Sequence, residues 1–306
     1  MIRLLFKMVL LSALVASAYV WMSRYVYGDV IYIQNYKLKR LRQGEGFEAI
    51  IFGDSVALGM HWPGHRNLYN YSLAYLGGIY PYRYLLQEYL RFNRAPKVLV
   101  LAATPTTFTE TERIGLDSRA VLLVPWRLIL REIWTRHEWS ALPGIIKKRF
   151  NLHDSVSAWL GGQLFSQLLD NETGALIPYV EPQFIFHPGA KREFVMSNFS
   201  HQQLEGLLDD AQLNGILVVL YFVPASRHVY EWDRAYYEHF EASLLRLAQA
   251  HPSVVVCKPY PEHCLWPDEF FLDSIHLNNK GMRRWEKECF PSFFSVSSDG
   301  RAYFSE

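Results

Sequence analysis

Three side chains in this sequence have the types and settings that nucleophilic catalysis needs. Gly53-Asp54-Ser55 closes the apolar run Phe47-Glu48-Ala49-Ile50-Ile51-Phe52, the pattern of a buried parallel strand that stops at a turn. A serine there is presented at the top of a sheet, with helix amides close behind it. Far along the chain, Asp273-Ser274-Ile275-His276-Leu277-Asn278 follows the last predicted strand and precedes a helix that begins near Asn278. A serine hydroxyl is a poor nucleophile until an imidazole takes its proton. The imidazole in turn needs a carboxylate on its other nitrogen to fix tautomer and orientation. Asp273 and His276 can meet within one turn, so the three fit acyl transfer with Ser55 as nucleophile, His276 as base and Asp273 as its orienter. Each also has an ordinary use. Gly-Asp-Ser makes plain turns, Asp273 can cap a helix, and His276 can sit satisfied on the surface or in the core.

The rest of the composition removes other chemistries. Half of the 306 residues are hydrophobic and 15% are aromatic, which suits a globular chain with a substantial core. The 31 basic and 30 acidic residues are spread along the sequence and leave a net charge of +1, too weak a field to argue for nucleic acid. Cys257, Cys264 and Cys289 lack the paired spacing of a zinc site. Either Cys257 and Cys264 clip the Pro-rich loop between them in an oxidising compartment, or all three stay thiols. His61 and His65 have helical spacing, but Pro63 and Gly64 oppose the helix that would aim both at one metal, so no metal site is expected. Trp126, Trp134, Trp139 and Trp159 read as packing or membrane-facing residues, with stacking on sugar rings as the alternative.

The elements that must position the three side chains alternate along the chain. Four apolar runs, Phe47–Phe52, Lys97–Ala103, Gly215–Phe222 and Ser253–Cys257, read as buried strands. Helical patterns cover Pro81–Asn93, Ser200–Asn214, Asp233–Ala250 and Asn278–Glu288. Alternation of this kind predicts an α/β fold, a three-layer α/β/α arrangement with a central, mostly parallel sheet and ligands beyond the carboxyl ends of the strands. The interval 106–199 breaks the rhythm and is too long for a plain connection, so it reads as a helical insertion, either structural or a cover for substrate.

The N-terminus carries a different signal. Arg3 and Lys7 precede an uncharged, largely apolar stretch from Met8 to Ser23 that closes at Arg24. Its helix would rise about 24 Å, and snorkelling Lys7 and Arg24 extend the reach toward a hydrocarbon core of about 30 Å. Ala16-Ser17-Ala18 resembles a cleavage site, but Tyr19-Val20-Trp21-Met22 continues the apolar run past it, so a retained transmembrane anchor is expected over 1–25. A juxtamembrane stalk over 26–45 and a folded domain over 46–306 follow, with that domain outside the cytoplasm.

Taken together, Gly53-Asp54-Ser55 after the first strand and Asp273-x-x-His276 near the C-terminus resemble the SGNH (GDSL-like) hydrolases. The resemblance covers roughly Phe47 to Phe290 and implies an SGNH/flavodoxin-like fold, a Ser55–His276–Asp273 triad and no cofactor. Two other family positions depart here. The oxyanion glycine after the second strand falls in Asn70-Tyr71-Ser72-Leu73-Ala74-Tyr75-Leu76-Gly77-Gly78, where the amides of Ala74 or Tyr75 are the candidates. The family's asparagine after the third strand is replaced by Ala103-Thr104-Pro105-Thr106, where the hydroxyl of Thr104 or Thr106 is the candidate. With an anchor, the chain looks like the cell-envelope branch of the class, which includes DltD-like and alginate-acetylation proteins. That likeness implies a periplasmic esterase or O-acyltransferase acting on an acylated carbohydrate or other envelope polymer, in partnership with a membrane-bound O-acyltransferase. The rival expectation is a non-catalytic accessory protein that keeps the fold and binds the polymer.

Overall fold

The computed structural model describes residues 36–60, 67–73, 79–108, 124–149, 173, 175, 193–257, 265–273, 275–288, 295–296 and 302–303. The expected anchor and the His61–His65 pair lie outside the described residues, as do Trp159, Cys264 and Cys289. Among the described residues no helix is long and apolar enough to cross a membrane.

The fold is α/β around a parallel sheet of five strands: β1 (Ala49–Phe52), β2 (Leu68–Asn70), β3 (Val98–Ala103), β4 (Leu217–Phe222) and, after a short β5 (Ala225–Ser226), β6 (Val254–Cys257). Their order across the sheet is β2-β1-β3-β4-β6, every neighbouring pair parallel. Four of the five are the apolar runs read from the sequence. The fifth, β2, has three residues, too few for a periodic signal.

Alternate residues of the strands face two separate cores. Ile50, Phe52, Leu99, Leu101, Val218 and Leu220 pack on one side, and Ala49, Ile51, Val98, Val100, Val219 and Tyr221 on the other. Burial on both faces explains why the strands are continuous apolar runs instead of alternating ones. On the first side lie α1 (36–41), α2 (Tyr80–Phe92), α6 (Asn198–Leu213) and α8 (Arg234–Ala250); the short α3 (Pro105–Phe108) and the insertion helices α4 (Trp126–Arg136) and α5 (Leu142–Arg149) come between α2 and α6 in the chain, and α7 (Arg227–Trp232) precedes α8. On the second side Met282 and Trp285 of α9 (Asn279–Glu288) are buried, and the Trp285 indole donates to the Tyr221 hydroxyl at 2.7 Å.

One boundary differs from expectation. The stretch expected to be stalk contributes α1, whose Leu41 and Lys37 are fully buried, so the packed body begins ahead of the Gly44–Gly46 break. Leu41 belongs on the core side of a short amphipathic turn, a pattern that six residues cannot announce against a basic background. Among the described residues of the interval 106–199, α4 and α5 form a third cluster with Tyr84 and Phe199, over whose ring the Arg136 guanidinium lies at 3.9 Å. Trp126 packs against that cluster, whereas Trp134 and Trp139 form an exposed edge-to-face pair 5.6 Å apart. The insertion also returns to the sheet, where the Asn70 amide donates to Thr173 O at 2.8 Å.

Because β1 leads outward to β2 while the chain continues on the opposite side through β3, β4 and β6, the strand order reverses between β1 and β3. Such a switch point leaves a crevice beyond the carboxyl ends of the two strands. Ser55 follows β1 and Thr104 follows β3.

Candidate active site

The serine turn is set by close packing. A Cβ on Gly53 would lie 2.4 Å from Ala57 Cβ, 3.0 Å from Ser72 Oγ and 3.1 Å from Ala102 Cβ, so only glycine lets the chain fold back tightly at the end of β1. Asp54 then caps a single 3₁₀ turn, Ser55–Ala57, its Oδ1 accepting from the Val56 amide at 3.0 Å. Gly53→Ala should therefore destabilise the protein by about 1–3 kcal/mol through overpacking. Urea unfolding of the full chain checks this, and a wild-type midpoint would show that the turn yields.

The histidine comes from a loop closed on itself. Phe271 and Leu277, both buried, form an antiparallel bridge, and the Leu272 amide donates to His276 O at 2.7 Å. Asn278 locks the base of the loop: its Nδ2 donates to Glu269 O at 2.7 Å, while its Oδ1 accepts from the Gly281 amide and caps α9. At the other end, the Ser226 hydroxyl that caps α7 donates to Asp268. Asp273 Oδ1 accepts from the amides of Ile275 at 2.9 Å and His276 at 2.8 Å, so one carboxylate oxygen shapes the turn and leaves the other for the imidazole.

These two loops meet. His276 Nε2 lies 3.0 Å from Ser55 Oγ, and His276 Nδ1 lies 2.8 Å from Asp273 Oδ2. Burial pushes the Asp273 carboxyl up, but hydrogen bonds from the His276 ring and the Ile275 amide, the attraction of His276 and its own amide outweigh it and hold the group at about 2. An ionised Asp273 only accepts, so the proton sits on Nδ1, and Nε2 presents a lone pair to the Ser55 hydroxyl. The imidazole and carboxylate are both partly open to solvent. This is the arrangement in which a serine is activated by a general base at 2.6–3.2 Å.

No protein-family model matches the chain, and no curated protein matches it in sequence.

The oxyanion candidates fare differently. Ala74 and Tyr75 lie outside the described residues. Thr104 has another partner: its hydroxyl donates to Asp54 Oδ2 at 3.0 Å, beside Thr107, whose hydroxyl reaches the same oxygen at 3.2 Å. A hydroxyl has one proton, so Thr104 cannot hold Asp54 and serve an oxyanion together. This pairing originates in Asp54, which is buried and must be satisfied. Burial pushes its carboxyl above the usual value, against the pull of the Val56 amide, the two threonine hydroxyls and His276. Thr106 is exposed and, with the Thr104 proton committed to Asp54, donates its own to Thr104 Oγ1 at 2.9 Å.

Asn70 was not singled out by sequence. Fully buried, it donates from Nδ2 to Ala57 O at 2.8 Å and Met60 O at 2.6 Å, and accepts at Oδ1 from the Ser72 amide at 2.7 Å. It ties the nucleophile turn to the loop after β2. An asparagine at a strand end was its only signal. Among the described residues no cluster of potential metal ligands is present.

Proposed function

We propose that the chain is a membrane-anchored, extracytoplasmic serine esterase or O-acyltransferase of the SGNH class that acts on acyl esters of a cell-envelope polysaccharide or related polymer. The observation that carries the reading is the continuous line from Ser55 Oγ to His276 Nε2 and from His276 Nδ1 to Asp273 Oδ2, at 3.0 and 2.8 Å. Its place at the β1/β3 switch point supports the same reading, because that is where an open parallel sheet binds ligands.

The reaction runs in two steps. Ser55 Oγ attacks the ester carbonyl carbon as Nε2 takes the hydroxyl proton, and the carbonyl becomes a tetrahedral oxyanion. Its collapse breaks the ester bond, Nε2 returns the proton to the departing alkoxide, and an acyl-serine remains. Water or a sugar hydroxyl, deprotonated by His276, then attacks the acyl carbon and restores Ser55. The acceptor decides between hydrolysis and transfer. Asp273 stays ionised throughout and stabilises the imidazolium.

A fluorophosphonate probe tests the assignment. Incubated with the full chain in detergent, it should form one covalent adduct, located at Ser55 by peptide mass spectrometry, because only an activated serine attacks phosphorus at a useful rate. An unlabelled protein, or an adduct elsewhere, would sink the reading. One observation favours the non-catalytic accessory alternative: Thr104 is engaged by Asp54, which leaves backbone amides to meet an oxyanion.

A further inference from the structure

Lys37 is the one fully buried lysine among the described residues, 1% exposed, and it enters the core from α1. Its Nζ donates to the Ser72 carbonyl at 2.7 Å, and among the described residues no carboxylate pairs with it. Burial alone drives its pKa far down. An ammonium has three donors, and hiding it behind one acceptor costs stability that an apolar side chain of similar length would not. Core packing therefore does not account for a lysine here, and the group it touches becomes the informative fact.

That group sits at the junction of the two loops that matter. The Ser72 amide is held by Asn70 Oδ1 at 2.7 Å, and the Leu73 amide donates to Gly53 O at 2.9 Å. The Ser72–Leu73 peptide is thus gripped at its carbonyl by Lys37 and at its N–H by the residue that opens Gly53-Asp54-Ser55. Ser72 Oγ also fills the space 3.0 Å from where a Gly53 Cβ would be.

We infer that Lys37 is a positioning residue for acyl transfer: by holding the Ser72 carbonyl it fixes the orientation of the Ser72–Leu73 peptide, whose N–H in turn holds Gly53 at the start of the nucleophile turn. This rests on the Ser55 reading above. Competence of the site then depends on a helix that lies N-terminal to the sheet and touches neither Ser55 nor His276. A peptide rotated by loss of this bond shifts the turn that carries Ser55 by up to about an ångström, which is felt in the transition state more than in substrate binding.

The experiment measures kcat and KM for p-nitrophenyl acetate with the full chain in detergent, well below each variant's Tm. Lys37→Met should lower kcat by about 10- to 100-fold with KM changed by less than about threefold. Leu41→Ala, on the same helix and in the core but without a hydrogen bond to the Ser72 carbonyl, is expected to lower Tm and leave kcat within about twofold of wild type. Should Lys37→Met not fold, Lys37→Gln takes its place, since its amide stops a bond short of the carbonyl; the same loss of kcat is expected. A kcat within about twofold of wild type in the folded Lys37 variant overturns the inference, as does an equal loss in Leu41→Ala. Ser55→Ala in the same assay separates the two claims. If wild-type turnover does not depend on Ser55, both readings fall; if it does and the Lys37 variant turns over normally, only this one falls.

Discussion

Removal of the imidazole should abolish nearly all turnover: His276→Ala is expected to lower kcat for a small ester by roughly 10⁴- to 10⁶-fold. The magnitude follows from the geometry. Ser55 Oγ lies 3.0 Å from Nε2 and the site is partly open to water, so without the base the hydroxyl attacks as an ordinary alcohol. Ser55→Ala should cost about as much, and the double variant should lose no more than either alone, because the two side chains perform one act. Neither substitution threatens the fold. The loop bearing His276 is closed by backbone bonds at Leu272 and by Asn278, and the Ser55 turn is capped by Asp54. Circular dichroism of the full chain should match wild type. A His276→Ala protein within tenfold of wild-type kcat, or losses that multiply in the double variant, would contradict the proposed mechanism.

Asp273→Asn carries the second large effect, about 10⁴-fold in kcat with the fold retained. The reason is specific to this loop. Oδ1 of Asp273 accepts from two backbone amides, Ile275 and His276, which an asparagine can satisfy only with its carbonyl oxygen. Its amide nitrogen is then forced toward His276 Nδ1, which must accept, and the ring proton moves to Nε2. The base faces Ser55 with a donor where it needs a lone pair. Stability should respond separately to pH. With the folded carboxyl depressed to about 2 from an ordinary 3.8, the interaction contributes fully above about pH 4 and is lost as pH falls toward 2. Asp273→Asn removes that acid-side dependence together with the contribution at neutral pH, a loss kept modest by the half-exposed position of the carboxylate. The decisive measurement is acyl content of the surface polymer in cells carrying Asp273→Asn or Ser55→Ala at matched protein levels. Loss in both supports catalysis. Wild-type acylation in both would leave the accessory reading, since a near-isosteric amide hardly alters a binding cleft.

The two ends of the site were legible in the sequence because each is locally encoded. Buried parallel strands need unbroken apolar runs, so β1, β3, β4 and β6 announce themselves, and a strand must end in a turn, so Gly53-Asp54-Ser55 falls where a serine can be presented. Asp273 and His276 are three residues apart and meet through their own turn. Tertiary structure alone decided the rest, since it depends on register between distant segments. Ser55 and His276 are 221 residues apart and come within 3.0 Å only because both loops leave the same end of one sheet. Thr104 turned from an expected oxyanion donor into a partner of Asp54 because parallel pairing of β1 with β3 sets the two residues side by side. Asn70 and Lys37 carry no motif; their roles arise where β2 and α1 approach the carbonyls of Ala57, Met60 and Ser72. Side chains that hold backbone groups of remote segments leave no pattern along the chain, because the geometry that gives them partners exists only once the sheet is assembled.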